Sequence, residues 1–312
     1  MSNQAVLWIG FTITLCIMFA IDLGIFNRKT HEVSFREASA WTAVWVALAL
    51  LFNIGVYFEL GKEKALEFLA GYTIEQSLSV DNLFVFIMIF SYFKIRKNHQ
   101  PKILKWGVIG ALVLRAIFII AGIDLIERFS WTIYIFGGIL IVTGFKMAFG
   151  KEDSINPDKN FAVRLVRRFM PITKRTYGDR FFINRQGVRA ATPLFLALVV
   201  VESSDVIFAV DSIPAVLSVT RDPLIVYTSN AFAIMGLRSL YYLLANVMGM
   251  FAYLKLGVSV ILAFVGIKML LGHSQYSFST QFSLGVILGV LLISILTSIV
   301  FAKGKGTSSR TS

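Results

Sequence analysis

Six carboxylates lie within or beside long apolar stretches, where an ionised side chain is costly. They are Asp22, Glu75, Asp81, Glu202, Asp205 and Asp211. On insertion scales, an ionised carboxylate at the centre of a bilayer costs roughly 2.5–3.5 kcal/mol. These groups therefore need partners: metal cations, protons, or the arginines Arg115 and Arg238. Carboxylate and amide oxygens are hard ligands that favour Mg²⁺, Ca²⁺ or Mn²⁺, so the pattern indicates a divalent cation site.

Residues that would bind a soft metal or carry electrons are scarce. The three histidines lie outside the acid-bearing stretches, and Cys16 is the single cysteine. One cysteine excludes an internal disulfide, a paired-thiol redox site and a cysteine-based zinc site within one chain. We therefore expect no permanently bound cofactor, with the metal passing through as a transported ion.

Two of the acids belong to an internal repeat. The residues shared by its copies are Asp81, Arg115 and Lys146 in the first, and Asp205, Arg238 and Lys268 in the second. The Asp-to-Arg spacing is 34 residues in one copy (115 − 81) and 33 in the other (238 − 205). Because each copy contains three spans, the second must enter the membrane from the opposite side, which gives an inverted repeat.

The inverted repeat predicts that Asp81 and Asp205 approach one another near the midplane, at the interface between the copies. Asn82 offers a further oxygen ligand beside Asp81. The four basic residues of the repeat, Arg115, Arg238, Lys146 and Lys268, are predicted to form structural or gating ion pairs.

The second acidic stretch cannot direct all its carboxylates to one site from a regular helix. Glu202 and Asp205 lie about 60° apart on a helix, whereas Asp211 lies about 180° from Glu202. Pro214 follows closely, and proline disrupts helical hydrogen bonding about one turn earlier. We therefore predict a broken helix that turns Asp211 toward the same ion.

The elements that must position these residues are membrane-spanning helices. Hydrophobic residues make up 56% of the chain, charged residues 15%, and the mean hydropathy is +0.73. We predict an all-α polytopic membrane protein of about nine transmembrane helices, with two inverted three-helix repeats. The predicted spans are 5–26, 40–60, 73–93, 104–125, 130–149, 191–212, 224–247, 254–272 and 280–302.

The basic residues predict the orientation. Most of the 30 Lys and Arg residues fall in alternate connecting segments on one side of a nine-helix arrangement. The positive-inside rule then places the N-terminus outside and the C-terminus in the cytoplasm. We interpret segment 150–190 as a basic cytoplasmic loop with a short amphipathic helix at the membrane surface and a hairpin over 181–188, not as a nucleic-acid site.

This gives a predicted division of the chain into five parts. Two N-terminal helices occupy 1–72, the first repeat 73–150, the basic loop 151–190, the second repeat 191–272, and the last helix with its cytoplasmic tail 273–312.

Four stretches of the sequence together resemble those of a known protein family. They are Glu75-x2-Leu78-Ser79-Val80-Asp81-Asn82, the run from Val201 to Ala215, the run from Thr228 to Arg238, and Gly266-x-Lys268-Met269. In these stretches the chain resembles the TerC/Alx family of bacterial inner-membrane proteins, and the similarity extends from about Ala20 to Lys268. The Glu-x-Ser-Asp-x-x-Phe-Ala-x-Asp-Ser-Ile-Pro pattern is the most specific part of the resemblance.

The resemblance implies an inverted-repeat cation exporter of the bacterial inner membrane, with manganese as the leading substrate. Carried over by position, the family's metal residues would be Glu75, Asp81, Asn82, Glu202, Asp205 and Asp211. The family has also been labelled as tellurium-resistance protein and as membrane-bound redox modulator. The sequence has no haem, flavin or paired-thiol signature, so we interpret those labels as phenotypes of altered metal balance.

Two other classes of protein remain open. A non-transporting membrane scaffold, or an accessory protein in redox balance or tellurite resistance, would use the acids only as structural partners of the arginines. An intramembrane aspartyl hydrolase would use two aspartates that share a proton, but its usual Tyr-Asp and Gly-x-Gly-Asp contexts are absent. We expect a transporter rather than an enzyme, with a divalent ion and the lipid bilayer as partners. The choice among Mg²⁺, Ca²⁺ and Mn²⁺ and the use of a coupling proton stay open.

Overall fold

The computed structural model describes most of the chain. The described residues are 3–25, 33–149, 160–173, 177–185, 187–247, 254–271 and 278–305. Asp22 and Asp81 lie on described helices, but their side chains fall outside the described part. Within these ranges the chain is almost entirely helical, with one two-stranded sheet.

The fold contains nine long helices and one short one within the described ranges. They are α1 (Asn3–Ile25), α2 (Phe35–Leu60), α3 (Lys62–Tyr92), α4 (Gln100–Arg128), α5 (Thr132–Phe149), α6 (Phe161–Phe169), α7 (Pro193–Leu217), α8 (Pro223–Val247), α9 (Leu254–Leu271) and α10 (Thr280–Lys305). Eight of the long helices are sufficiently long and apolar to cross a membrane. The ninth, α8, has 25 residues, and its Thr228-Ser229-Asn230 run and Arg238 lower its hydropathy. The predicted all-α polytopic fold is confirmed.

The lateral surface of the bundle is apolar. Large hydrophobic side chains such as Phe58, Ile120, Val142 and Leu292 are exposed on four different helices. A water-soluble domain rarely exposes so much contiguous apolar surface, whereas lipid tails accept it without cost. The exposed faces of these helices are therefore the faces that contact lipid.

One helix begins well before its predicted span. Hydropathy predicts a span that starts at residue 73, but α3 begins at Lys62 and runs for 31 residues. Hydropathy detects the apolar part of a helix, whereas backbone hydrogen bonding continues through the polar turns before it. Those extra turns carry Lys64 and Glu67, and they project toward the end of the bundle that holds the α7–α8 loop.

Four helices form the centre of the bundle. Helix α3 packs against α7 and α8, and α4 packs against the same two helices. The third helices of the two predicted repeats, α5 and α9, pack along each other. Reciprocal pairing of this kind is expected of an inverted repeat, and it places the interface between the two halves where α3, α4, α7 and α8 meet.

Glycines allow α5 and α9 to approach closely. A Cβ atom built on Gly144 would lie 2.8 Å from the Ser259 carbonyl oxygen, and one built on Gly266 would lie 2.8 Å from the Gly137 carbonyl oxygen. Because both obstacles are backbone atoms, side chains at these positions would force the helices apart.

Short elements lie at one end of the bundle, which we call the hairpin end. Strands β1 (Phe182–Arg185) and β2 (Val188–Ala191) form an antiparallel hairpin, and Gly187 in its turn has a φ of +82°. The predicted hairpin around a glycine is confirmed. Helix α6 is also present, and the Asn160 side chain caps its N-terminus and donates to the Ser203 hydroxyl on α7 at 2.8 Å.

Candidate functional site

Four polar side chains meet inside the bundle, one from each of the central helices. They are Glu75 on α3, Arg115 on α4, Asp205 on α7 and Asn230 on α8, and we call them the central cluster. Each residue lies well inside its helix, so the cluster is remote from both ends of the bundle. The cluster lies at the interface between the two predicted repeats.

Arg115 is the hub of the central cluster. Its Nη1 donates to Glu75 Oε1 at 2.5 Å and to Asn230 Oδ1 at 3.1 Å, and its Nη2 donates to Asp205 Oδ1 at 3.4 Å. Asn230 Nδ2 in turn donates to Glu75 Oε2 at 3.0 Å. The planar guanidinium can serve several acceptors at fixed angles, which a lysine could not do.

The central cluster is buried and its charges do not balance. Side-chain exposure is 1% for Arg115, 0% for Glu75 and 6% for Asp205. With all three groups ionised, two carboxylates face one guanidinium. Within the described part of the chain, Asp205 Oδ2 is buried and accepts no hydrogen bond. A buried carboxylate oxygen that accepts no hydrogen bond is costly unless a cation or a proton binds it. The cluster has one excess negative charge and one such oxygen, so it could accept a further cation.

A polar stripe leads from the central cluster toward the hairpin end. Ser79 and Asn82 lie four and seven residues after Glu75, on the same face of α3. Both are buried, and the Ser79 hydroxyl has no hydrogen-bond partner among the described residues. The predicted ligand Asn82 is therefore aligned with Glu75, about two helical turns from it.

Glu202 lies one turn from Asp205, also toward the hairpin end. It is partly buried and faces α4 at Gly110. A Cβ atom on Gly110 would overlap its carboxylate, so the glycine provides the space that Glu202 occupies. Glu202 makes no described hydrogen bond with the central cluster, although Asp205 is near enough to repel a charge on it.

Asp211 is separate from the central cluster. Its Oδ1 accepts a hydrogen bond from Thr143 of α5 at 2.9 Å, and Lys146 attracts it from one turn further along α5. The predicted break in α7 is wrong, because α7 is continuous from Pro193 to Leu217. Pro214 removes one backbone hydrogen bond, to the Val210 carbonyl, but α7 continues through it. Asp211 therefore stays on a different face of α7 from Asp205.

Three of the predicted site residues remain. Arg238 is buried on α8 and makes interactions there, while the Asp81 side chain lies outside the described residues. Lys268 lines a cavity at the opposite end of the bundle from the hairpin. Among the described residues, no group of three or more His, Cys, Asp or Glu side chains is close enough to hold a metal. Of the six predicted ligands, Glu75 and Asp205 share the central cluster, and the described side chains of Asn82, Glu202 and Asp211 lie outside it.

The cavity has a volume of about 570 Å³ and lies beside the α7–α8 loop. It contains a second charged group, Lys64, Glu67 and Asp222, which we call the cavity cluster. Lys64 Nζ lies 2.8 Å from Glu67 Oε2 and 3.7 Å from Asp222 Oδ2. Between this cluster and Glu75, α3 carries Gly71, where a Cβ atom would lie 2.9 Å from Ser229 Oγ. Tight packing therefore separates the cavity from the central cluster.

Two features of this site were not predicted from the sequence. Asn230 completes the hydrogen bonding of Glu75, but in the sequence it is only one polar residue within a run typical of the family. The cavity cluster was also missed, because Lys64, Glu67 and Asp222 precede apolar spans and resemble ordinary loop charges. In neither case does the local pattern contain a signal of the long-range contact.

The chain is similar to several bacterial membrane proteins. It is 48% identical over 302 residues to "Uncharacterized membrane protein STKORF319" of Myxococcus xanthus, covering 97% of this chain and 94% of that protein. It is 46% identical to "Putative membrane-bound redox modulator Alx" of Photorhabdus laumondii, covering 99% of both chains. It is also 46% identical to the protein of the same name in Escherichia coli K12, covering 93% of both.

No solved structure matches the chain. The family model "Integral membrane protein TerC family" matches residues 60–306, which include every described residue of the central and cavity clusters. With that match and with relatives similar over nearly their whole length, the chain belongs to the TerC family of integral membrane proteins.

Proposed function

We propose that the protein exports a divalent cation, with Mn²⁺ as the leading substrate, across the bacterial inner membrane through the central cluster. The observation that carries the proposal is the buried pair Glu75 and Asp205, which shares a single guanidinium and leaves Asp205 Oδ2 without a donor. Intramembrane ionisable residues are expensive, and they usually mark ion pathways. Hard oxygen donors suit Mn²⁺, Mg²⁺ and Ca²⁺.

The polar residues on either side of the cluster suggest a route. Glu202, Asn82 and Ser79 approach it from the hairpin end, and the cavity with Glu67 lies on the other side. By the positive-inside rule, the basic loop supports a cytoplasmic position for the hairpin end and an N-terminus outside. An ion would enter past Glu202 and leave through the cavity after the Gly71 contact opens.

A proton could replace the metal ion on the acids of the central cluster after the metal ion has been released. Two carboxylates and one arginine leave one negative charge in a buried place, and protonation of one acid would remove it. The proposal therefore includes exchange of the metal ion against protons, and it predicts that an inwardly directed proton gradient accelerates export.

A second function is favoured by a specific observation. Arg115 already bonds both acids, which is how a purely structural charge pair in a scaffold or redox accessory protein would look. Two relatives are named as redox modulators, and such a role would need no transport. An exporter of a redox-active metal would also influence redox balance, so the name by itself does not separate the two functions.

The deciding experiment is Mn²⁺ uptake into inverted inner-membrane vesicles at matched protein levels. We compare wild type, Asp205→Asn and, as a matched control, Asp124→Asn, which changes an exposed aspartate on α4. Export predicts uptake by wild type and Asp124→Asn that is lost in Asp205→Asn. Mg²⁺ and Ca²⁺ as competitors rank the substrates. Equal signals in all three, no greater than in empty vesicles, would reject export and leave the scaffold.

A further inference from the structure

Arg115 stands where the two buried carboxylates converge. We propose that its guanidinium is a tethered cation that occupies the ion site in this conformation, and that the transported ion binds by displacing it from Asp205. The inference rests on the proposed export function and adds the residue that sets affinity and release. Arg115 would act by position and charge, without itself holding the metal.

The three contacts of the guanidinium are unequal. Nη1 is held at 2.5 Å by Glu75 and at 3.1 Å by Asn230, whereas Nη2 reaches Asp205 at only 3.4 Å. Hydrogen bonds to a carboxylate are normally shorter than this last distance. The contact with Asp205 is therefore the weakest, and it is the one that an incoming ion would break first.

The arrangement allows Arg115 to leave Asp205 without losing its place. Because Glu75 and Asn230 both bind Nη1, the guanidinium can rotate away from Asp205 and keep two of its partners. Asp205 would then have Oδ1 released and Oδ2 already free of donors. Both oxygens of one buried carboxylate would become available to a hard cation, with the Glu202 carboxyl group one turn away.

A tethered competitor solves a problem that a buried acid pair creates for a transporter. Two unpaired carboxylates in a low-dielectric interior would bind a divalent ion too tightly to release it, and the empty site would be costly to keep. Arg115 returning to Asp205 helps to expel the ion and gives Asp205 a cationic partner once the site is empty. The inference predicts that removal of the positive charge strengthens binding while it slows turnover.

The test measures equilibrium Mn²⁺ binding to purified folded protein and uptake into vesicles. The variants are Arg115→Gln, Arg115→Lys and, as a matched control, Arg128→Gln, which removes an exposed arginine from the same helix. We expect Arg115→Gln to bind Mn²⁺ about tenfold more tightly than wild type. Its maximal uptake rate and half-saturating concentration should both fall. The compact ammonium of Arg115→Lys should give an intermediate affinity, and Arg128→Gln should behave as wild type.

Each outcome has one meaning. Tighter binding with slower uptake supports the inference. Folded Arg115 variants that bind Mn²⁺ as wild type does, or more weakly, overturn it and leave Arg115 as a structural clamp. If Arg115→Gln does not fold, Arg115→Lys decides by the same comparison with wild type. Absence of both uptake and binding in wild type would instead be a failure of the export function.

Discussion

The central cluster and the cavity cluster contain the same kinds of group in different surroundings. Each has two carboxylates and one basic side chain, contributed by more than one segment of the chain. In the central cluster the basic side chain is 1% exposed, whereas Lys64 in the cavity cluster is 33% exposed. Water can therefore replace a lost partner in the cavity and cannot do so at the centre.

Burial, more than pairing, decides how strongly such charged groups affect stability. Exposed ion pairs contribute about 0–1 kcal/mol because water and salt screen them. A buried charge that loses its partner costs several times more, because its desolvation is no longer offset. The same combination of two acids and one basic side chain can thus be essential for stability in the central cluster and a weak, exchangeable contact in the cavity cluster.

The largest expected effect is the loss of the central guanidinium. Arg115→Met would leave Glu75 and Asp205 buried without their cation and should destabilise the protein by about 3–5 kcal/mol. Thermal unfolding of the purified protein in detergent measures the loss. Adding Glu75→Gln and Asp205→Asn to Arg115→Met should restore most of the stability, because a neutral site has no charge to desolvate. A stability change below about 1 kcal/mol for Arg115→Met would abolish the contrast between the two clusters.

A neutral member of the central cluster should have the next largest effect. Asn230 donates to Glu75 Oε2 and accepts from Arg115 Nη1, and it is fully buried. Asn230→Leu, similar in size, would leave both groups with an unmet hydrogen bond and should cost about 1–3 kcal/mol. The same unfolding assay measures the cost, with Thr12→Val on the exposed face of α1 as a control expected to change little. A neutral result would mean that water enters the cluster.

Much of the fold could be predicted from the sequence because lipid imposes a simple rule. Long apolar runs must be helices, since every backbone group needs an internal partner in the membrane. The hairpin was predictable because Gly187 lies between two short runs of strand formers. The early start of α3 was not, because the turns before residue 73 are polar and hydropathy does not detect them.

The site was predictable in part. A carboxylate in an apolar span signals itself by its cost, and both Glu75 and Asp205 were found in this way. Their joint partner Arg115 was predicted only as an ion-pair former, because a pairing over 90 residues along the chain leaves no local pattern. The predicted break near Asp211 was wrong because a proline removes one helical hydrogen bond without necessarily ending the helix, and α7 continues through Pro214 to Leu217.

The cavity cluster should respond weakly to the change that is severe at the centre. Lys64→Met removes the basic partner of Glu67 and Asp222, yet water in the cavity can solvate both acids. We expect a loss of about 0–1 kcal/mol in the same assay, smaller at high salt. If Lys64→Met were as destabilising as Arg115→Met, the cavity would have to be closed and dry.

The smallest effect is expected at the hairpin end, where the ion pair is more exposed than in either cluster. Lys102 Nζ lies 3.3 Å from Asp179 Oδ2, and the Asp179 side chain is 69% exposed. The hydrogen bond and charge of Lys102 lower the pKa of Asp179 below its usual 3.8.

A depressed carboxyl pKa adds stability that is present above the pKa of the unfolded state and is lost as the pH falls through the pKa of the folded state. Solvent screening should keep this contribution well under about 1 kcal/mol. The difference in unfolding temperature between wild type and Lys102→Gln should therefore be small at neutral pH and vanish once the pH has fallen below the lowered pKa of Asp179. A difference that persisted on acidification would show that Lys102 stabilises the fold through Phe181, over whose ring it also lies, and not through Asp179.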